Sequence, residues 1–222
     1  TVSLLCLVAA IFWFGLQIPP RPFPALSANE GEHQFMSLPD QLPDPVDRFY
    51  RKLYGEQVPR ITSAVISGRG TMRIRGISFP ARFRFIHDAG SGYRHYIQAT
   101  WFGLPLMTVN EYFLDGVGRM ELPFGTIEDE PQVNQGANLG MWAESIWFPS
   151  LFLTDERVRW QAVDEHSAAL VVPYEEEEQV LIARFDPESG LLRHLESMRY
   201  KGAESERKVL WINEARAWEE KD

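Results

Sequence analysis

The chain of 222 residues is 45% hydrophobic and 24% charged, with a formal net charge of −9. These are globular values for roughly one domain and exclude wholesale disorder, while the acidic balance withholds the basic face that a nucleic-acid partner requires. Cys6 is the only cysteine, which excludes an intramolecular disulfide and any cysteine-based zinc site.

Val2 to Ile18 is apolar apart from Ser3 and Gln17 and carries no charge before Pro19-Pro20-Arg21-Pro22. Residues 1–18 are therefore expected to form a transmembrane or signal-anchor helix, near the lower limit of about 17 to 25 residues, with its front cut away because the chain opens on Thr1. A signal peptide cleaved near Leu26-Ser27-Ala28 is the rival, and a buried soluble helix comes third. A single-pass anchor implies a membrane partner and an extracytoplasmic β domain. Residues 19–43 shift to Pro, Ser, Asn, Glu and Gln with little periodicity, the composition of a stiff linker.

The remainder, 44–222, reads as one domain. Asp44-Pro45 followed by Val46, Phe49, Tyr50 and Leu53 predicts a short helix ending near Gly55. From Thr62 the period changes to two: Met72 and Ile74 alternate with Arg73 and Arg75, and Phe79, Ala81, Phe83 and Phe85 with Arg82 and Arg84. Turn signals at Asp88 to Gly92, Gly103 and Asp115-Gly116 divide the following residues into strands Phe79–His87, Tyr93–Phe102, Leu104–Leu114 and Val117–Leu122. Asn138 to Leu153, NLGMWAESIWFPSLFL, is then helical and apolar nearly all round, with Pro149 ending the helix at Phe148. Strands follow around Val158–Val163, Ala168–Tyr174, Gln179–Phe185, Leu191–Tyr200 and Lys208–Trp218. The pattern predicts a mainly β protein with few helices (α+β): one long antiparallel meander curled into an open half-barrel around the central helix.

Glu144 is the one acid in that helix. It is either the polar anchor of an aromatic pocket walled by Trp142, Trp147, Trp101 and Tyr112, or a carboxylate at the rim or paired with a strand arginine; the cost of burying an unpaired charge favours the second. Arg69, Arg73, Arg75, Arg82 and Arg84 could meet anionic lipid headgroups, but a solvated sheet face with cross-strand ion pairs is favoured. Of His33, His87, His95, His166 and His194, only His87 and His95 can meet, across a hairpin, and no third ligand stands at metal-binding spacing. No metal, cofactor or catalytic residue is therefore assigned. Gly90-Ser91-Gly92 is a hairpin turn rather than a nucleophile elbow, and no phosphate-binding or dinucleotide-binding glycine loop is present.

The succession MRIRG (Met72 to Gly76), YFLDGVGRM (Tyr112 to Met120), WAESIWFPSLFL (Trp142 to Leu153), VRW (Val158 to Trp160) and FDPESGLL (Phe185 to Leu192) with Arg199-Tyr200 resembles an uncharacterised bacterial family of unknown function over roughly Pro43 to Gly202. Its most specific element is the pattern of Ala143, Glu144, Trp147 and Pro149. The resemblance implies no activity and so no catalytic residues. In the family an arginine often stands four residues before the glutamate, where this chain has Gly140, and further strands follow the point matching Asp222, which implies a trimmed carboxyl end. A meander on an apolar helix is also similar to the half-barrels of bacterial lipoprotein carriers, a likeness of fold alone.

These readings lead to a membrane-anchored protein of unknown function whose β domain binds an apolar or lipid-like ligand through Trp101, Tyr112, Trp142, Glu144 and Trp147. Two alternatives stand beside it. One is an envelope hydrolase pairing Glu144 with Asp115 or a histidine, which requires two such groups within hydrogen-bond reach. The other is a structural or protein-interaction domain with no ligand.

Overall fold

A computed structural model describes residues 2–26 and 34–219; His33 and the Ser27-Ala28 part of the considered cleavage site lie outside them. The order of elements is α1 (Val2–Gly15), β1 (Phe35–Ser37), α2 (Asp44–Tyr54), β2 (Gln57–Pro59), β3 (Ser63–Ile74), β4 (Ile77–Asp88), β5 (Gly92–Trp101), β6 (Leu104–Leu114), β7 (Val117–Leu122), β8 (Gly125–Glu128), α3 (Pro131–Glu144), α4 (Leu151–Thr154), β9 (Arg159–Asp164), β10 (Ser167–Tyr174), β11 (Glu177–Phe185), β12 (Leu192–Arg199) and β13 (Val209–Glu214). The protein is mainly β, and the strands expected from alternation are present at nearly the expected places.

The expected single meander is instead two. β3 to β8 form a six-stranded antiparallel sheet in sequence order, β9 to β13 form a five-stranded one, and neither closes on itself. The reason is the helical interruption between β8 and β9: a buried helix of 14 residues followed by a 3-10 turn at Ser145–Trp147 and the short α4 is too long to keep the next strand in register with β8. α3 packs between the sheets, touching β6 and β7 on one side and β10, β11 and β12 on the other. It starts seven residues before the expected Asn138, because Asn134, Gln135 and Asn138 are polar yet buried.

Those polar side chains fasten the helix to the strands. Gly118 N donates to Asn134 Oδ1 at 2.7 Å, Gln135 Nε2 donates to Met198 O at 3.2 Å while Tyr200 N donates to Gln135 Oε1 at 3.1 Å, and Asn138 Nδ2 donates to Pro173 O at 3.1 Å. Such satisfied amides carry no burial penalty and fix rotation as well as position. At Gly118 a Cβ would lie 3.1 Å from Val133 Cγ1, so only glycine lets the first turn of α3 sit this close to β7. Pro149 does end the helical run: α3 gives way to the 3-10 turn, and Phe148 leaves helical geometry at φ −141°, ψ 63°.

The main core lies on the far side of α3. Trp142 and Leu139 meet Ala168, Leu170, Val172, Leu181, Ala183 and Leu195 of the five-stranded sheet, joined by Phe49 and Tyr50 of α2. Tyr50 Oη donates to Pro149 O at 2.8 Å, tying α2 to the turn after α3. The carboxyl end of the expected linker belongs to the fold, since β1 pairs with β2 and Leu38 is buried.

The amino-terminal helix is shorter than the expected 1–18. α1 covers 14 residues, about 21 Å at 1.5 Å per residue, and no helix among the described residues is long and apolar enough to cross a membrane. It is nonetheless attached: Phe102 N donates to Gly15 O at 2.9 Å and Trp101 Nε1 to Phe12 O at 3.1 Å. Beyond it, Arg82 and Arg84 of β4 lie over the ring of Phe23, at 4.5 and 5.1 Å from its centre.

Candidate metal centre

Antiparallel register decides which side chains of the six-stranded sheet meet α3. His87 stands opposite Tyr93, and Phe85 opposite His95, so the two histidines are diagonal neighbours on one face, within reach across the pair. His95 stands opposite Glu111 on β6, and Tyr93 opposite Phe113, itself opposite Gly118 of β7. That face therefore carries two imidazoles and a carboxylate in an otherwise aromatic surround. α3 ends above it and contributes Glu144.

The result is a compact cluster. Glu144 Oε2 lies 3.0 Å from His95 Nε2 and 3.5 Å from His87 Nε2, and on the other side of its ring His95 Nδ1 lies 3.6 Å from Glu111 Oε2. Ligand-type atoms of His87, His95 and Glu144 all fall within 4.8 Å of one another. The histidines are 1% and 2% exposed. Tyr93 and Phe85 stack on opposite approaches to the His95 ring, with centroids 3.9 and 3.8 Å away, and Phe148 meets the edge of His87 at 5.3 Å. These contacts fix both imidazoles in place.

Hydrogen bonding at the cluster is incomplete. His87 Nε2, His87 Nδ1, His95 Nε2 and Glu144 Oε2 are all buried without a hydrogen-bond partner; the short His95–Glu144 approach lacks hydrogen-bond geometry. An unsatisfied buried polar atom costs about 1 to 3 kcal/mol, so three converging on one point require an explanation. Burial, reinforced by the neighbouring His95, lowers the pKa of His87 to about 3; at neutral pH it presents a lone pair. For His95 burial also pushes down, but Glu111 and Glu144 together outweigh it and the net direction is upward.

A pocket of about 60 Å³ opens beside Glu144, bounded by Tyr93, Glu111, Gly136, Gly140 and Arg199. Arg199 reaches it from the end of β12. A Cβ at Gly136 would lie 3.3 Å from Arg199 Nη2, and one at Gly140 3.4 Å from Arg199 Nη1. Residues 136, 140 and 144 share one face of α3, so two glycines form a slot in which the guanidinium lies beside the glutamate. The arginine that the resemblance places at position 140 is absent, and a strand arginine occupies that space.

The predicted site residues are only partly gathered. Glu144 is at the centre, Trp142 is fully buried beneath it, and Trp147 is half-exposed, its ring 6.0 Å from Phe85. Trp101 lies at the far end of β5 against α1. Tyr112 points from the opposite face of β6, where its hydroxyl lies 3.4 Å from Glu121 Oε2. Asp115 sits in the exposed β6–β7 turn, and His194 pairs with Glu196 at 2.9 Å. Sequence reasoning missed Glu111 and the joining of His87 and His95 through Glu144. The available signal was the place of both histidines in apolar alternation, beside Phe83, Phe85, Tyr93 and Ile97.

A family described as a family of unknown function (DUF6544) matches residues 34–222, in agreement with the resemblance drawn from the sequence. No curated protein and no solved structure matches the chain.

Proposed function

Since this chain belongs to DUF6544, a family of unknown function, we propose from its own residues that it is a divalent-metal protein, with His87, His95 and Glu144 holding the ion. The observation that carries the reading is the convergence of unpartnered buried nitrogen and oxygen atoms from two strands and a helix. Two imidazoles and one carboxylate are the donor set of catalytic zinc sites and of several iron sites, which keep at least one position open. The separations of 3.0 and 3.5 Å from Glu144 Oε2 suit one ion about 2.1 Å from each ligand. Glu111 plays the outer part: its carboxylate, 3.6 Å from His95 Nδ1, favours the tautomer that leaves Nε2 free for the ion.

Of the three ligands Glu144 lines the pocket beside Tyr93 and Arg199, so an ion held there would polarise or activate a group that reaches it from that pocket. Titration of chelator-treated protein with Zn²⁺ or Co²⁺ tests the reading. One equivalent should bind saturably, with Co²⁺ giving the visible bands of a low-coordinate site, and His95→Ala should abolish both. Binding unchanged in His95→Ala and in Glu144→Ala would sink it.

The 3.0 Å approach of His95 to Glu144 favours a second reading, metal-free acid–base hydrolysis of envelope material. Activity that survives exhaustive chelation would select it. A lipid-like ligand draws less support, because Trp101 and Tyr112 do not share a wall with Trp142 and Trp147.

The same chain is proposed to lie at a membrane. The support is α1, which has no charge and leaves Leu4, Leu5, Leu7, Trp13 and Phe14 exposed on all sides; a helix apolar all round calls for an apolar surround. The β3–β4, β5–β6 and β7–β8 turns sit at the same end of the sheet and expose Ile77, Leu104, Leu106 and Phe124. Flotation with lipid vesicles that is lost on deleting residues 1–18 is the expected result.

A further inference from the structure

Arg199 has no role in holding an ion, yet the fold makes elaborate room for it. Gly136 and Gly140 leave a slot along α3 for its two Nη atoms, the Trp211 ring covers its guanidinium at 4.5 Å from the centroid, and its Nε is buried with no hydrogen-bond partner. Glu111 and Glu144 act on it through space. A guanidinium is a planar fork of five donors suited to two-point recognition of oxyanions. Here the fork lines the same small pocket as Glu144, Glu111 and Tyr93.

Charge decides when an anion can enter. Glu111 and Glu144 set two carboxylates beside the Arg199 guanidinium in a lining that also includes Arg119 and Lys201. A divalent ion on His87, His95 and Glu144 would add two positive charges next to those carboxylates. In a pocket this small a change of that size governs anion affinity.

We propose that the pocket is an oxyanion site, in which one oxygen of a carboxylate-, sulfate- or phosphate-type group takes the open position on the ion and another accepts from Arg199. The proposal rests on the metal reading above. It assigns Arg199 as the residue that selects substrates bearing an oxyanion, and it makes binding ordered, the metal before the anion. The pocket of about 60 Å³ suits a group of a few heavy atoms, since one water needs about 10 to 15 Å³ on the same measure. The rest of such a substrate would extend past Tyr200 and Lys201, which line the mouth.

Calorimetry on the full chain, loaded with Zn²⁺ or metal-free, tests this with sulfate as a tetrahedral probe and acetate as a planar one. The loaded protein should bind at least one of the two saturably, and the metal-free protein should bind neither. Arg199→Gln should weaken the anion at least tenfold while Zn²⁺ affinity stays equal or rises, since a nearby positive charge is removed. Arg199→Lys, which keeps the charge and loses the fork, should fall between; unchanged Zn²⁺ uptake in either variant certifies its fold. Zn²⁺ uptake with no anion binding, or anion binding indifferent to Arg199, overturns the oxyanion site and leaves the metal reading standing. Failure of the wild-type chain to take up Zn²⁺ overturns both.

Discussion

The two sheets pack on opposite sides of one helix, yet their inner faces are built on opposite terms. The five-stranded sheet offers Ala168, Leu170, Val172, Leu181, Ala183 and Leu195, all 0 to 1% exposed, and α3 answers with Leu139 and Trp142. The six-stranded sheet offers His87, His95 and Glu111 among aromatics, and α3 answers with Glu144. Both faces are buried, so burial alone does not separate structure from function. What separates them is convergence: on one face the unpaired polar atoms are the isolated indole nitrogens of Trp142 and Trp160, while on the other His87 Nε2, His95 Nε2 and Glu144 Oε2 meet at one point.

The contrast can be broken at either face. Leu170→Ala should cost about 2 to 5 kcal/mol of folding stability through the cavity it leaves, read by chemical denaturation, with Zn²⁺ affinity of the folded fraction unchanged. On the other face Glu111→Gln should weaken metal binding by about 10- to 100-fold, the usual consequence of losing an orienting partner, with little change in the melting curve of the metal-free protein. Metal affinity should also depend on pH. His95 has its pKa raised, so it holds a proton below that value which the ion must displace. Affinity therefore rises by about tenfold per pH unit up to the raised pKa and then levels, as competition against a chelator of known affinity would report. His87, lowered to about 3, adds no proton release near neutrality. The smallest expected change is the most telling: His87→Leu should leave metal-free stability unchanged or higher by about 1 kcal/mol, because an unsatisfied buried group is removed, while the metal-induced rise in Tm disappears. A clear loss of metal-free stability in that variant would make the histidine a structural residue like those of the opposite face.

Much of the fold could be read along the chain. Period-two alternation from Met72 to Phe85 and the Asp115-Gly116 turn, with φ of 52° and 81°, are local, and local patterns survive into the structure. α2 also lies where Asp44-Pro45 and Gly55 bracket it. The beginning of α3 was illegible for a physical reason: Asn134, Gln135 and Asn138 break the apolar pattern because they bond to strands more than 15 residues away. β1, β2 and β8 have three or four residues each, too few to show a period. The site was illegible for a similar reason. His87 and His95 are eight positions apart, but Glu144 reaches them from another element, and Arg199 from the second sheet. No linear spacing encodes that meeting; only the register and the seating of α3 do.

The position of the cluster along the sheet has one more consequence. His95 is six residues from Trp101, where β5 ends beside α1, so about 20 Å of strand separates the cluster from that end at roughly 3.3 Å per residue. That length exceeds two Debye lengths at physiological ionic strength, about 8 Å each. Were α1 to lie in a bilayer, as proposed above, the six-stranded sheet would act as an electrostatic spacer. An ion held by His87, His95 and Glu144 would then stand beyond the field of charged headgroups, and the anions it meets would be those of the bulk solution rather than of the membrane surface.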